Sequence, residues 1–173
     1  MFFVLGEALA SPTVAYNNYD NECWWSNPSG QYLYIYWKWG PNIDTHGGWA
    51  IDFGAAATNW SNAGSKLRMS YSTSSVDTAD TYYAVESTPG YTQYWCNWWN
   101  YTMADAHAYG NLYVFADTGT SDYRKAVAAQ EQGHTLGLGH SSDSYSVMYK
   151  FQNLGVYLPT YDDSSGLNSM YPW

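Results

Sequence analysis

Apolar and polar positions along the chain change period several times, and each change marks an element. Residues 31–39, QYLYIYWKW, alternate and are dense in β-formers, which predicts a strand. In GGWAIDFGAAATNWSNAG (47–64), Trp49, Phe53, Ala56 and Trp60 recur at helical spacing, so one apolar face runs along a helix ending near Gly64. KLRMSYST (66–73) returns to strand character, and TYYAVES (81–87) and NLYVFADT (111–118) are further predicted strands. Between them YWCNWWNYT (94–102) has no clear period. From Ser121 the pattern turns helical. Ser121 or Asp122 serves as the cap, the series Ala126, Val127, Ala129, Gln130, His134 and Leu136 continues it, and Gly137 and Gly139 end it. A last short helix is predicted over 162–171, capped by Asp162 or Asp163. The order β-α-β-β-β-α, then a loop and a helix, predicts an α+β or α/β fold with one sheet and few helices.

Composition narrows what such a fold does. The chain has 173 residues, no internal repeat and no linker, so it reads as one domain large enough for a real core. Residues 1–29 read as an irregular segment ahead of a folded unit at 30–173. Apolar residues make up 46% and charged residues only 12%, which excludes disorder and leaves 19 Tyr and 10 Trp to build core and surface. The net charge of −9 argues against nucleic acid, because neutralising phosphates requires clustered Lys and Arg. It argues equally against an anionic membrane surface, and no apolar run is long enough to span a bilayer. Residues 1–10 end in Ala8-Leu9-Ala10, which reads either as the remnant of a secretory signal or as an ordinary first segment. Cys23 and Cys96 are compatible with one disulfide in an exported protein, and secretion to an extracellular setting is the expectation.

The candidate chemistry lies in AAQEQGHTLGLGH, Ala128 to His140. Residues four apart on a helix share a face, so positions 130 and 134 can reach one ion with Glu131 beside it. Gly137 lets the chain turn sharply and brings His140 round as a third donor. Three protein donors and an open position make a catalytic zinc site, in which the metal acidifies water and a carboxylate takes its proton.

These residues resemble the metzincin signature H-E-x-x-H-x-x-G-x-x-H. Glu131, His134, Gly137 and His140 match it, and SVMY (146–149) is similar to its downstream Met-turn, with Met148. Ser141 and the Met148-Tyr149 pair resemble the matrixin branch. The resemblance implies an α+β, zincin-like catalytic domain with a twisted mixed sheet, two long helices, a Met-turn and a short C-terminal helix. It implies zinc as cofactor, His134 and His140 as ligands, Glu131 as general base, and Met148 as the floor below the ion. Tyr149 and Tyr157 bound the segment expected to wall the pocket for the residue after the scissile bond. The substrate it implies is an extended protein or peptide lying along an edge strand, and the chain is expected to act as a monomer.

The departure is Gln130, where the signature has its first histidine. An amide oxygen is a weaker donor to zinc than imidazole, so this ligand is weak or lost. Three accounts stay open: one residue changed in an otherwise intact motif, an enzyme that tolerates Gln, and an inactive metzincin-fold binding module. The module would hold carbohydrate or protein through surface aromatics such as CWWSN (23–27) and YWCNWWNY (94–101), without metal. Matrixins also carry structural zinc and calcium. MADAHAYG (103–110) and VDTAD (76–80) do not reproduce a structural zinc ligand run, whereas calcium is admitted. His46 and His107 read as ordinary loop or surface histidines. NECWWSNP, around Cys23, does not match the family's cysteine-switch sequence.

Overall fold

The computed structural model describes residues 23–27, 30–64, 66–97, 99–116, 121–151 and 155–171. The signal-like residues 1–10 lie outside them. The elements are β1 (Leu33–Trp39), α1 (Gly48–Ala63), β2 (Leu67–Tyr71), β3 (Thr78–Tyr82), β4 (Gly90–Asn97), β5 (Thr102–Asn111), α2 (Asp122–Thr135) and α3 (Tyr161–Met170). One five-stranded sheet runs in the order β2-β1-β3-β5-β4. Its first four strands are parallel, and β4 closes one edge antiparallel to β5. This is the mixed sheet with two long helices and a short final one that the sequence predicts.

The strand alternation assigns the two faces. Leu33, Ile35 and Trp37 of β1 are buried, whereas Tyr34 and Tyr36 are exposed on the opposite face. Both long helices cover the buried face. Trp49, Phe53 and Trp60 of α1 are fully enclosed there. Trp60 Nε1 donates to Ala129 O at 2.7 Å, fixing α1 against the middle of α2. A buried ion pair, Arg124 Nε to Asp52 Oδ2 at 2.5 Å, holds the same helices one turn from the start of α2. With one partner deleted, the other charge would stay desolvated at a cost of roughly 3–5 kcal/mol.

Two strand predictions fail for identifiable reasons. The strand expected at 81–87 lies at Thr78–Tyr82, so only its first two residues are in it. NLYVFADT contributes only Asn111 to a strand; Leu112 to Tyr113 begin a turn, and 117–118 lie outside the described residues. The cause is the fully buried Asn111. Its Oδ1 accepts from Tyr113 N at 3.0 Å, and its Nδ2 donates to Thr88 O at 2.9 Å. That side chain competes with a ladder and turns the backbone. The strand actually formed, TMADAHAYGN, is poor in β-formers because its inner face must be small. A Cβ on Gly110 would lie 2.4 Å from Trp49 Cζ3. The unpatterned aromatic run begins as the end of β4, Tyr94–Asn97, with a register shift between Trp95 and Cys96.

Cys23 and Cys96 form a disulfide across a sequence separation of 73. Closing so long a loop contributes about 4 kcal/mol in the chain-entropy account. It fastens the segment before β1 to the edge strand. Trp25 then seals the end of α2, with Nε1 donating to Thr135 O at 2.8 Å.

Candidate functional site

The site is built on the last two turns of α2. Ser121 caps the helix, accepting from Arg124 N as the sequence predicts. Gln130, Glu131 and His134 are all buried on the helix. The helix stops at Thr135, and Gly137 takes the left-handed φ of +87° that the turn requires. The chain then runs back past the helix to His140. The His134 and His140 rings end 4.8 Å apart, centroid to centroid, and nearly perpendicular at 83°.

The hydrogen bonds fix the chemical state of each group. His134 Nδ1 lies 2.7 Å from Leu138 O. A carbonyl can only accept, so Nδ1 carries the proton and Nε2 the lone pair, the tautomer a metal-ligating histidine takes. Burial pushes the His134 pKa down to about 3, and that of His140 is lowered for the same reason. Both imidazoles are therefore neutral donors at neutral pH. Glu131 Oε2 accepts from Thr92 Oγ1 of β4 at 2.8 Å, and Thr92 Oγ1 also lies 2.9 Å from Glu131 O. Burial raises the Glu131 pKa to about 7, against a lowering contribution from the Thr92 hydroxyl.

Gln130 behaves differently from a ligand histidine. Its Nε2 donates to Tyr149 O at 2.9 Å, so the amide is held by the backbone at the end of the 146–149 segment. His134 fits zinc in type, tautomer and charge and His140 in type and charge, whereas Gln130 offers only a neutral amide oxygen. Among the described residues no group of three or more His, Cys, Asp or Glu side chains is placed to hold a metal ion.

The segment around Met148 is tightly held. Ser141 N donates to Met148 O at 2.7 Å, and Ser141 pairs with Tyr149 in a parallel bridge. Met148 is fully buried. Its sulfur lies against the α2 backbone: a Cβ on Gly133 would meet Met148 Sδ at 2.3 Å and Trp60 Cζ2 at 2.7 Å. Met148 thus packs against the turn that carries Gln130 and His134. Tyr149 is half-buried beside Gln130 and edge-on to Phe151 at 5.6 Å. Tyr157 lies farther toward the start of α2, with Lys125 Nζ 5.0 Å from its ring centre.

Two residues here were not singled out from the sequence. Thr92 is one hydroxyl on a distant strand, and no spacing rule marks it. Asp163 was expected only as a helix cap beside Asp162. The cap is instead Thr160, with Asp163 completing a capping box as the third residue of α3. The pattern Thr160-x-x-Asp163 carried that signal. Asp163 also accepts from Ser146 Oγ, from Val147 N at 3.0 Å and from Met148 N at 3.3 Å, so it fastens α3 to the segment around Met148. Asp162 accepts from Ser141 Oγ at 2.7 Å.

The remaining metal-type residues are engaged elsewhere. Asp77 accepts from Ala106 N, Asp80 from Asn42, and His107 Nδ1 lies 2.7 Å from Thr78 Oγ1 on the sheet's outer face. His46 is exposed beside Asp44.

The raised Glu131 pKa gives a signed prediction for the metal-free protein. The folded state holds this proton up to about pH 7, whereas the unfolded chain releases it near 4.5. Folded molecules therefore bind more protons across that window, and stability falls as pH rises through it, by about 3 kcal/mol in total. Asp77, raised by burial to about 6 from 3.8, adds a fall of the same sign at lower pH. Melting temperatures in EDTA should decline from pH 5 to pH 8, and Glu131→Gln should flatten the upper part of that decline. An unchanged slope would remove Glu131 as its source.

The family description "Matrixin" matches residues 19–172. Among solved structures, the chain is similar to high choriolytic enzyme 1, a hatching enzyme zinc-protease from Oryzias latipes (medaka fish). The TM-score is 0.56 at 12% identity, covering 91% of this chain and 98% of that one. It is also similar, at TM-score 0.56 and 12% identity, to a chain of the GM1-bound ECX AB5 holotoxin, covering 79% of each. At these identities the structural likeness concerns the fold.

Proposed function

The chain belongs to the matrixin family, and from that premise we propose that it is a zinc-dependent endopeptidase whose hold on its metal is weakened by Gln130. The observation that carries this reading is the approach of His140, beyond the turn at Gly137, to His134 on the helix that carries Glu131. His134 and His140 would hold the ion, with Gln130 Oε1 as a weak third donor. When bound, zinc supplies Lewis acidity at this point of the cleft.

The rest follows from the chain's own residues. Glu131, buried and raised in pKa to about 7, is suited to accept a proton from an attacking water and return it to the leaving amine. Thr92 orients that carboxylate and belongs to β4, the strand at one edge of the sheet. An extended peptide added to this edge would pass beside Glu131, which makes proteins or peptides the substrate class. Tyr149 and Tyr157 are proposed as limits of the wall beyond the scissile bond, and Met148 as the floor. Among the described residues no helix is long and apolar enough to cross a membrane. The disulfide supports an oxidising, extracellular compartment, and the proposed working unit is a monomer acting on protein, not nucleic acid.

The test is zinc uptake followed by calorimetry, and cleavage of casein in excess zinc, for the chain and for Glu131→Gln. The expected outcome is weak zinc binding by both forms and slow cleavage by the parent alone. Cleavage that persists in Glu131→Gln or in EDTA would exclude this mechanism.

A further inference from the structure

A groove of about 410 Å³ opens beside β1, reaching from the exposed Tyr34 and Tyr36 to the buried Ile35. Its origin is topological. β1 pairs with β3 only at Lys38 and Trp39, so below that point the strands diverge. The loop between β2 and β3 crosses the gap. Ser75 anchors it, with Oγ donating to Tyr36 O at 2.6 Å and accepting from Asp77 N at 3.1 Å. Trp25, held by the disulfide-linked segment, supplies another wall. The groove is thus bounded by a strand, an anchored loop and a tethered indole, all parts of the rigid fold.

Its chemistry is mixed in a specific way. Trp25, Tyr34 and Tyr36 contribute aromatic surface, and the two tyrosine rings are nearly parallel, 13° between planes and 6.4 Å apart. Both tyrosines are about half exposed, at 55% and 50%, although each could have been any polar residue on this solvent-facing side. Ile35 and Val76 add apolar surface, and hydroxyls of Ser72 and Ser74 and the carboxylate of Asp77 complete the lining with Ser75. Among the described residues no Lys or Arg lines it, so phosphate, sulfate or uronate groups would meet no counter-charge there. Ser72 Oγ and Ser74 Oγ lie 2.9 Å apart and Asp77 Oδ1 accepts from Ala106 N, so ligand hydroxyls would extend an existing polar network through its remaining lone pairs and hydroxyl proton. Aromatic faces accept the C–H faces of pyranose rings, while serines and a carboxylate bond the ring hydroxyls. The volume falls in the range of small-molecule sites, roughly 300–1,000 Å³.

From this combination we infer that the groove between β1 and the β2–β3 loop is a binding site for a neutral glycan, one or two pyranose units deep. It is separate from the Glu131 site and does not rest on the protease reading. It also relocates the sugar platform expected from the aromatic runs. Among the described residues of those runs, Trp25 alone lines the groove, whereas Trp95 and Trp99 are exposed elsewhere.

The test titrates the full chain with chitotriose, cellotriose and mannotriose, reading tryptophan fluorescence and calorimetry, with choline chloride as a cationic control. At least one trisaccharide should bind with a dissociation constant on the order of 1 mM. Tyr34→Ala and Tyr36→Ala should each weaken it roughly tenfold. Both side chains are exposed, so their melting temperatures should stay at the parent value, and a variant that melts early is replaced by Ser74→Ala. Binding should be unchanged in EDTA and in Glu131→Gln, which separates this outcome from any failure at the zinc site. The inference is overturned by the absence of binding to all three sugars, by equal affinity in the tyrosine variants, or by binding of choline alone.

Discussion

Gln130→His is expected to raise zinc affinity by at least about 100-fold and to turn slow or undetectable casein cleavage into ready hydrolysis. The magnitude follows from ligand chemistry: altering partners that merely orient zinc ligands already changes affinity roughly 10–100-fold, and this change replaces a ligand itself. The other groups of the proposed site are already oriented. His134 is held in its ligating tautomer by Leu138 O, His140 is brought beside it, and Glu131 is anchored by Thr92. The substitution removes one hydrogen bond, from Gln130 Nε2 to Tyr149 O, at a cost of about 1 kcal/mol. A Gln130→Ala control removes the same bond without adding a ligand, so it isolates that cost. Calorimetry, and the rise in melting temperature on adding zinc, check the affinity. Equal zinc affinity in the parent and histidine forms would mean that position 130 does not face the ion.

Asp163→Ala is expected to be the most damaging single substitution outside the two long helices. Asp163 is fully buried and serves the start of α3 and the 146–148 segment at once. It accepts from Thr160 N at 2.7 Å to start α3, and from Ser146 Oγ, Val147 N and Met148 N to hold the segment under α2. Alanine would leave several buried donors without an acceptor, each costing about 1–3 kcal/mol where water cannot enter. A loss of roughly 3–5 kcal/mol is expected after relaxation. It should appear as a lower urea midpoint and as faster hydrogen exchange at Val147 and Met148. Asp163→Asn keeps an acceptor oxygen and should recover part of the loss. An alanine form as stable as the parent would show that Asp163 does not fasten these elements.

The two predictions mark where sequence reading succeeds and stops. Helix α1 was legible because Trp49, Phe53, Ala56 and Trp60 repeat at helical spacing and all point into the core. The turn at Gly137 was legible because its left-handed backbone nearly requires glycine. β5 was not, since its inner face carries Ala106, Ala108 and Gly110 to admit Trp49, and small residues have no strand signature. Nor was the false strand at 111–118 avoidable, because only the burial of Asn111 makes its side chain override the pattern.

The same division runs through the candidate site. By itself the sequence determined the donor types and their order: an amide at 130, a carboxylate at 131 and imidazoles at 134 and 140, spaced so that local backbone geometry brings them near one another. Such spacing is short-range and needs only a helix and one turn. Tertiary structure alone decided the partners that set their states. Thr92 reaches Glu131 from another strand, Tyr149 O captures the Gln130 amide, Met148 packs under Gly133, and Asp163 fastens that segment from the last helix. Those contacts join residues far apart in the chain, and desolvation within them shifts the Glu131 and His134 protons in opposite directions. Neither burial nor distant hydrogen bonds leave a periodic trace in sequence, so they appear only when the sheet and helices close around them.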